Sequence, residues 1–175
     1  YLIDYKTGEL KLKSTLGTGF RPPSLFEIAY NSRQGVYPPA ADVTLREEKS
    51  EGFDLGVGWF SKNGLRANLV YFDQSIENEI YFDNLAWSGY LQGTGESESK
   101  GIEFDFGLMI MPNLDISFNY TNNRAKTGDG DARALRPKHL ANTNVAWNSP
   151  SEKITINLNY RHVGKTRGPY GIDVD

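Results

Sequence analysis

Apolar and polar residues alternate along much of the chain with a period of two. Over residues 102–110 the even positions are Ile, Phe, Phe, Leu and Ile, whereas the odd positions are Glu, Asp, Gly and Met. This period is typical of a β-strand with one apolar face and one polar or small face. Six further stretches follow the same rule, namely 10–20, 53–60, 65–72, 114–121, 140–147 and 153–161. The pattern predicts seven antiparallel strands, with residues 1–5 as a possible partial eighth.

Short and long connections alternate between these stretches. The short ones carry turn residues such as Asn-Gly, Pro-Asn and Ser-Pro, and they lie at 6–8, 61–64, 112–113 and 149–151. The long ones are polar and rich in Gly, Pro and Asp, and they cover 21–46, 80–100, 125–137 and 164 onward. Short turns at one end and long loops at the other are typical of outer-membrane β-barrels. Most stretches also have the roughly ten residues that a tilted strand needs to cross a bilayer.

Composition narrows the function classes. The chain has 175 residues, a net charge of −3 and no cysteine, so neither a broad basic surface for nucleic acid nor a thiolate metal site is expected. The longest run without Asp, Glu, Lys or Arg is 13 residues, too short for a transmembrane helix. A mean hydropathy of −0.53 is compatible with a membrane barrel, because alternation averages a lipid-facing side with a polar side.

The apolar positions are expected to form one outward convex face. This prediction is specific for Ile102, Phe104, Phe106, Leu114, Ile116, Phe118, Ile154, Ile156 and Leu158. Aromatic residues near the stretch ends, at 59–60, 71–72, 120, 147 and 160, fit the aromatic girdles of a membrane–water boundary. Polar residues on the opposite face, Glu103 and Asp105 among them, would line a lumen rather than form a pair of catalytic acids.

Five segments resemble the barrel of TonB-dependent outer-membrane receptors. Residues 17–27 (GTGFRPPSLFE) resemble the family segment that leads from a strand into an extracellular loop, and residues 45–56 (LREEKSEGFDLG) resemble the segment that returns from it. Pro22 stands where the family usually has Ala, and Glu47 where it usually has Pro. Weaker likenesses follow in the family's order at 67–80, 99–103 and 135–139.

The resemblance implies an all-β, antiparallel up-and-down transmembrane β-barrel segment. Residues 1–175 would supply seven or eight strands of a barrel of about 22 strands, without the plug domain and the terminal strands. The implied protein is no enzyme and needs no cofactor. It is an active-transport receptor in the outer membrane of a Gram-negative cell. Its implied partners are outer-membrane lipid, TonB as the energy source, and a ferric siderophore, haem or cobalamin as ligand, with loop spacing most like the cobalamin branch.

Ligand contacts are expected from aromatic and arginine residues of the long loops. Tyr and Arg provide ring stacking and charge-assisted hydrogen bonds, so the predicted ligand-binding residues are Arg21, Tyr30, Arg33, Tyr37 and Tyr90. Arg21, with the two prolines that follow it, also fits a role in shaping the loop entry.

The sequence predicts no metal site at its two candidate acidic residues or its two histidines. Asp129 and Asp131 resemble half of a calcium loop, but the remaining ligands are absent. His139 and His162 are 23 positions apart and lack metal-site spacing.

Two alternatives of other classes stay open at this point. One is a self-contained outer-membrane barrel of eight strands with a structural or adhesive function. The other is a soluble β-sandwich that binds carbohydrate, for which Trp87 and Tyr90 would suit the binding surface. The sandwich requires the apolar face to pack against a second sheet.

Overall fold

A computed structural model describes residues 2–32, 44–168 and 173–174 of the chain. These residues form twelve strands and one short helix. In chain order the elements are β1 (Leu2–Tyr5), β2 (Gly8–Arg21), α1 (Leu25–Asn31), β3 (Glu48–Ser61), β4 (Leu65–Glu77), β5 (Ile80–Phe82), β6 (Tyr90–Gln92), β7 (Ser97–Met111), β8 (Leu114–Lys126), β9 (His139–Asn148), β10 (Thr155–Val163), β11 (Thr166–Arg167) and β12 (Asp173–Val174).

One eight-stranded antiparallel sheet contains all the long strands. Its order is β1-β2-β3-β4-β7-β8-β9-β10, so each strand lies beside its neighbour in the chain apart from the inserted β5–β6 hairpin. The seven predicted strands and the partial eighth are therefore confirmed. The edge strands β1 and β10 do not pair with each other, which contradicts the self-contained eight-stranded barrel. Among the described residues the other two sheets have only two strands each, so the second layer of a sandwich is missing.

The register collects the apolar positions on one face, as predicted. Residues that lie directly opposite each other in neighbouring strands point to the same side of a sheet. Phe106 faces Ala67 of β4 and Phe118 of β8, and Phe118 in turn faces Thr143 of β9. The neighbouring rows of the sheet show the same pairing of apolar residues, and eight of the nine predicted residues lie on this face. The ninth, Ile154, lies just before β10 and so outside the paired strands.

This apolar face has no protein layer over it in the part of the chain that the structure describes. Ile80, at 8% exposure, is the only buried hydrophobic residue there. Long apolar side chains such as Leu55, Leu69 and Leu158 are exposed on the face instead. A soluble sheet does not leave such a surface uncovered, whereas a sheet that meets lipid does.

The long connections contain more structure than their composition predicted. The first, residues 22–47, contains α1, and the second, residues 78–96, contains the β5–β6 hairpin. Strand β7 begins at Ser97, within the region predicted as loop. In the described residues no helix combines the length and the apolar character that crossing a membrane would require.

Candidate ligand-binding site

Helix α1 begins where the chain leaves the sheet at the long-loop end. Ser24 accepts a hydrogen bond from the Glu27 backbone N–H (3.2 Å), and the Glu27 carboxylate accepts one from the Ser24 N–H (2.6 Å). This capping box satisfies two backbone donors at the start of the helix. Two prolines immediately precede it and fix the direction of entry. The segment therefore folds into a defined helix of seven residues rather than an open loop.

Arg21 connects α1 to the sheet. Its Nε and one Nη donate to Glu48 at 2.6 and 2.9 Å, and the other Nη donates to both oxygens of Glu27 at 3.1 Å. Glu48 also accepts the Ile80 backbone N–H at 2.7 Å, which attaches the start of the second long connection. Burial alone would raise the pKa of Glu27, but the hydrogen bonds from Ser24 and Arg21 outweigh it and hold that pKa below its ordinary value.

Two side-chain amides fasten the hairpin to the first connection. Asn31 donates through Nδ2 to the Tyr90 carbonyl (2.7 Å) and accepts the Tyr90 N–H (2.8 Å). Gln92 makes the same pair of bonds with the backbone of Arg46, at 2.8 and 2.9 Å, and also donates to the Asn78 carbonyl. Each side-chain amide thus bonds to both the N–H and the C=O of one residue, as a neighbouring backbone would. These bonds hold the end of α1 and strand β6 side by side.

Five aromatic rings meet above these polar contacts. We define the aromatic cluster as Phe26, Tyr30, Phe82, Trp87 and Tyr90. Centroid distances run from 5.3 to 6.2 Å, and five of the six ring pairs are edge-to-face with interplanar angles of 70–90°. Edge-to-face packing at this spacing is favourable beyond the apolar area that it buries. The rings therefore form one fixed surface made from two connections far apart in the chain.

The pattern of burial at the aromatic cluster is the reverse of that in an ordinary protein core. Polar residues beneath it are buried, with Glu27 at 8% and Asn31 at 9% exposure. The outer rings are exposed, with Phe26 at 65% and Trp87 at 63%. Leu85, beside Trp87, is exposed as well. An apolar patch that a polar network holds toward solvent is characteristic of a binding surface.

Asp83 shapes the tip of the hairpin. Its carboxylate accepts the N–H groups of Leu85 and Ala86 at 3.0 Å and the Ser88 hydroxyl at 2.7 Å. These bonds, that from Ser88 first, hold the pKa of Asp83 below its ordinary value. Trp87 closes the turn with its N–H on the Asp83 carbonyl and has a φ of +55°, in the left-handed region that a bulky residue rarely occupies. The turn thus presents the indole to solvent at a conformational cost.

A third connection joins the same end of the sheet. Arg133, between β8 and β9, donates to both oxygens of Glu79 at 2.8 and 2.6 Å, and the Ser97 hydroxyl donates to Glu79 as well. Burial would raise the pKa of Glu79, but Arg133 and Ser97 together hold it below the ordinary value. Three long connections are therefore linked through buried or half-buried ion pairs.

An open cleft of about 670 Å³ lies on the polar face of the sheet at this end. Small and polar side chains of five strands line it, and Arg133 and Arg136 border it from the third connection. Lining residues from the strands include Thr15, Asp54, Gln74, Ser99 and Asn123. The cleft can hold polar ligand groups or a second protein segment.

The predicted ligand residues have different places in this arrangement. Tyr30 and Tyr90 come together in the aromatic cluster, with ring centroids 5.7 Å apart. Arg21 lies below the cluster, with all three guanidinium nitrogens on carboxylates. Arg33 and Tyr37 lie outside the described residues.

The sequence interpretation missed Phe26, Phe82, Asn31 and Gln92. The Ser24-x-x-Glu27 spacing was the available signal for α1 and hence for Phe26.

The acidic and histidine residues considered for metals lie apart. Asp131 pairs with Arg167 at 3.5 Å on the third connection. The Nδ1 of His139 is 2.8 Å from the Tyr120 hydroxyl and 3.1 Å from the Asn122 amide, on the apolar face. His162 lies opposite Ala141. The described residues contain no group of three or more His, Asp or Glu that could hold a metal ion.

Comparison with known sequences gives related receptors. The family described as "TonB dependent receptor-like, beta-barrel" matches residues 3–174. An uncharacterized TonB-dependent receptor of Haemophilus influenzae is 29% identical over 112 residues, which cover 59% of this chain and 32% of that protein. A vitamin B12 transporter, BtuB of Vibrio cholerae, is 26% identical over 162 residues, which cover 90% of this chain and 24% of the transporter. The chain thus spans about a quarter to a third of these relatives.

Solved structures show the same fold. The copper transporter OprC superposes with a TM-score of 0.72 at 16% identity, over 94% of this chain and 25% of that chain. A ferric enterobactin receptor of Pseudomonas aeruginosa, PfeA, superposes with a TM-score of 0.71 at 19% identity, over 94% of this chain and 26% of that chain. Members of the matched family are outer-membrane β-barrel receptors and transporters of Gram-negative bacteria, not enzymes. The chain belongs to the TonB-dependent receptor family and forms an eight-stranded segment of its transmembrane β-barrel.

Proposed function

We propose that the protein containing this chain is an active-transport receptor in a Gram-negative outer membrane. It takes up a scarce, large ligand, either a ferric siderophore, haem or cobalamin, with energy delivered through TonB. The observation that carries the proposal is the aromatic cluster, which two long connections hold toward solvent at the same end of the sheet as the open polar cleft. Membership in a family of receptors and transporters supports it.

The cluster is proposed as the first contact surface for the ligand. Its exposed rings offer apolar area and edge geometry for stacking, and they are already ordered by Asn31 and Asp83 before a ligand arrives. Tyr30 and Tyr90 contribute their hydroxyl groups as polar contacts. We assign Arg21 a positioning role, because its donors are engaged by Glu27 and Glu48.

Charge at the cluster favours a ligand without strong negative charge. Residues 22–32 and 78–96 contain four acidic residues, Glu27, Glu79, Asp83 and Glu96, and neither Lys nor Arg. Arg21 and Arg133, which hold these connections in place, are both ion-paired. A ferric catecholate complex is strongly anionic, whereas cobalamin and many hydroxamate complexes are close to neutral. We therefore rank cobalamin and neutral siderophores above anionic ligands, in agreement with the relationship to the vitamin B12 transporter.

The test is direct binding to the purified full-length receptor. Cyanocobalamin, haemin, a ferric hydroxamate and a ferric catecholate are titrated separately, and uptake is then measured in cells with and without TonB. One ligand is expected to bind in the nanomolar to micromolar range and to need TonB for uptake. Binding of none of the four, or uptake that continues unchanged without TonB, would contradict the proposal.

Substitutions locate the contact surface. Phe26→Ala and Trp87→Ala remove exposed rings and are each expected to weaken ligand binding about tenfold or more, as for other aromatic anchors. Tyr81→Ala is the matched control, because Tyr81 is exposed on the same hairpin but makes no ring contact with the cluster. An equal loss of affinity in all three variants would argue for general loop damage rather than a contact surface.

A further inference from the structure

On β4, β7 and β8 the apolar band ends one row earlier on the long-loop side than it does on β3, where Phe53 faces Asp73. Tyr71, Ile102 and Asn122 form the last row of the band on β4, β7 and β8. Two residues farther along each strand, the next row on the same face is Asp73, Lys100 and Arg124. A rise of about 3.4 Å per residue puts this charged row about 7 Å beyond the apolar one. That distance corresponds to the headgroup layer next to the hydrocarbon of a bilayer.

Two cations lie directly opposite each other in this row. Lys100 and Arg124 are cross-strand partners, and like charges in that position repel. Lys126, in the row beyond, faces Glu98. Three basic side chains from two adjacent strands therefore project from one small area of the outward face.

The neighbouring carboxylates compensate only part of this charge. Glu98 is 3.0 Å from the Lys100 ammonium, and Asp73 accepts the Tyr71 hydroxyl at 3.0 Å. Arg124 is exposed and has no ion pair or hydrogen-bond partner among the described residues. The area thus keeps the Arg124 guanidinium free, beside the Lys100 ammonium, which pairs with Glu98 and lies opposite Asp73.

We propose that Lys100, Arg124 and Lys126 bind the phosphate of a membrane lipid in the leaflet on the long-loop side. A phosphate between Lys100 and Arg124 removes their mutual repulsion and gives the guanidinium the planar, bidentate contact that suits it. The lipid chains then run along Ile102 and the rings below it, on the exposed apolar face. Tyr71 and Tyr120 border the site at the depth where phenolic side chains favour an interface. The inference rests on the membrane placement proposed above, but not on the identity of the transported ligand.

The experiment measures lipid binding to the full-length receptor extracted from the outer-membrane fraction. Native mass spectrometry or a titration compares lipid A carrying both phosphates with lipid A from which the phosphates have been removed. Arg124→Gln and Lys100→Gln are each expected to weaken binding of the phosphorylated form about fivefold, and the double variant about 25-fold. Rising salt should weaken wild-type binding more than that of the double variant.

The control is Lys13→Gln, which removes the same charge from the opposite face of the sheet, where Lys13 faces Gly56. Its lipid affinity should equal that of the wild type. Arg124→Lys keeps the charge and should retain most of the binding. Equal affinity for both lipid A forms, or an unchanged affinity in the double variant, would overturn the proposal. Recovery of the receptor in the outer-membrane fraction is read independently, so a failure of the membrane placement would be recognised separately.

Discussion

Replacement of Asn31 by Ala should release the hairpin from α1. The substitution removes two hydrogen bonds, of 2.7 and 2.8 Å, and leaves the N–H and C=O of Tyr90 without their partner. Each such bond contributes about 0.5–1.5 kcal/mol net, so the local contact loses about 2 kcal/mol. That loss corresponds to an approximately 30-fold larger open population of the hairpin. Alanine is the better helix former, so α1 itself should not be weakened.

The assay is hydrogen–deuterium exchange at the Tyr90 amide of the full-length receptor. This N–H is donated directly to Asn31, and its exchange rate should rise about 30-fold in Asn31→Ala. Asn31→Asp keeps an acceptor for the N–H but sets a carboxylate oxygen against the Tyr90 carbonyl, so an intermediate rise is expected. Asn84→Ala, an exposed change on the same hairpin, is the control and should leave the rate unchanged.

The exchange result also tests how the cluster is ordered. If the Tyr90 amide of Asn31→Ala exchanges at the wild-type rate, the ring contacts alone hold the hairpin and the amide pair is dispensable. If the rate rises while ligand affinity stays constant, the cluster need not be preorganised for binding. Only a rise in exchange together with weaker binding agrees with a cluster that must be ordered before it binds its ligand.

Three further predictions concern charge, packing and strain. Glu27 and Glu79 have folded-state pKa values below the ordinary 4.5. The stability that these two carboxylates give the long connections is therefore complete above about pH 5 and is lost as the pH falls through the lowered pKa values. Loop amides should exchange faster near pH 3 than their intrinsic rate predicts. Gly101→Ala sets a Cβ against the Asn122 carbonyl oxygen of the facing strand and should lower the free energy of unfolding by about 1–3 kcal/mol. Gly17→Ala, in open space, should not lower it, and thermal melting of both variants tests this. Trp87→Gly relieves the positive φ, so it should slow amide exchange at the hairpin tip, and it should also weaken ligand binding because the ring is lost. A variant that binds the ligand as tightly as the wild type would show that Trp87 is not part of the contact surface.

The strands were predictable because alternation is a local property of the sequence. Each residue of β7 or β8 has an apolar or polar character that assigns its face without reference to any partner. Turn residues such as Asn63 and Gly64 then fixed which strands are neighbours, and the pairing follows. The outward curvature expected of the apolar face stays a prediction.

The candidate site could be predicted only in part, because its contacts are distant in sequence. Asn31 and Tyr90 are 59 positions apart, and Arg21 and Glu48 are 27 apart. No period or motif connects such pairs, so the sequence indicates Tyr30 and Tyr90 only through their residue type and loop position. The charge of Arg21 favours a ligand contact, but in the structure two carboxylates engage that charge. The spacing of Ser24 and Glu27 is a capping signal that predicts helix α1, but the adjacent prolines and the polar composition favour a loop.

The arrangement separates the groups that hold the long connections from the groups that can meet a ligand. The ion pairs and amide contacts form beneath the cluster, where Glu27 and Asn31 are buried, and the exposed surface consists mainly of aromatic rings. Buried charge pairs contribute little net stability compared with apolar packing, but removal of one partner is costly, so they enforce one geometry. Recognition by such a surface depends on shape and apolar area more than on charge. On the proposed function, the cluster therefore disfavours strongly anionic ligands, and selection among the weakly charged ones depends on polar contacts from other loops.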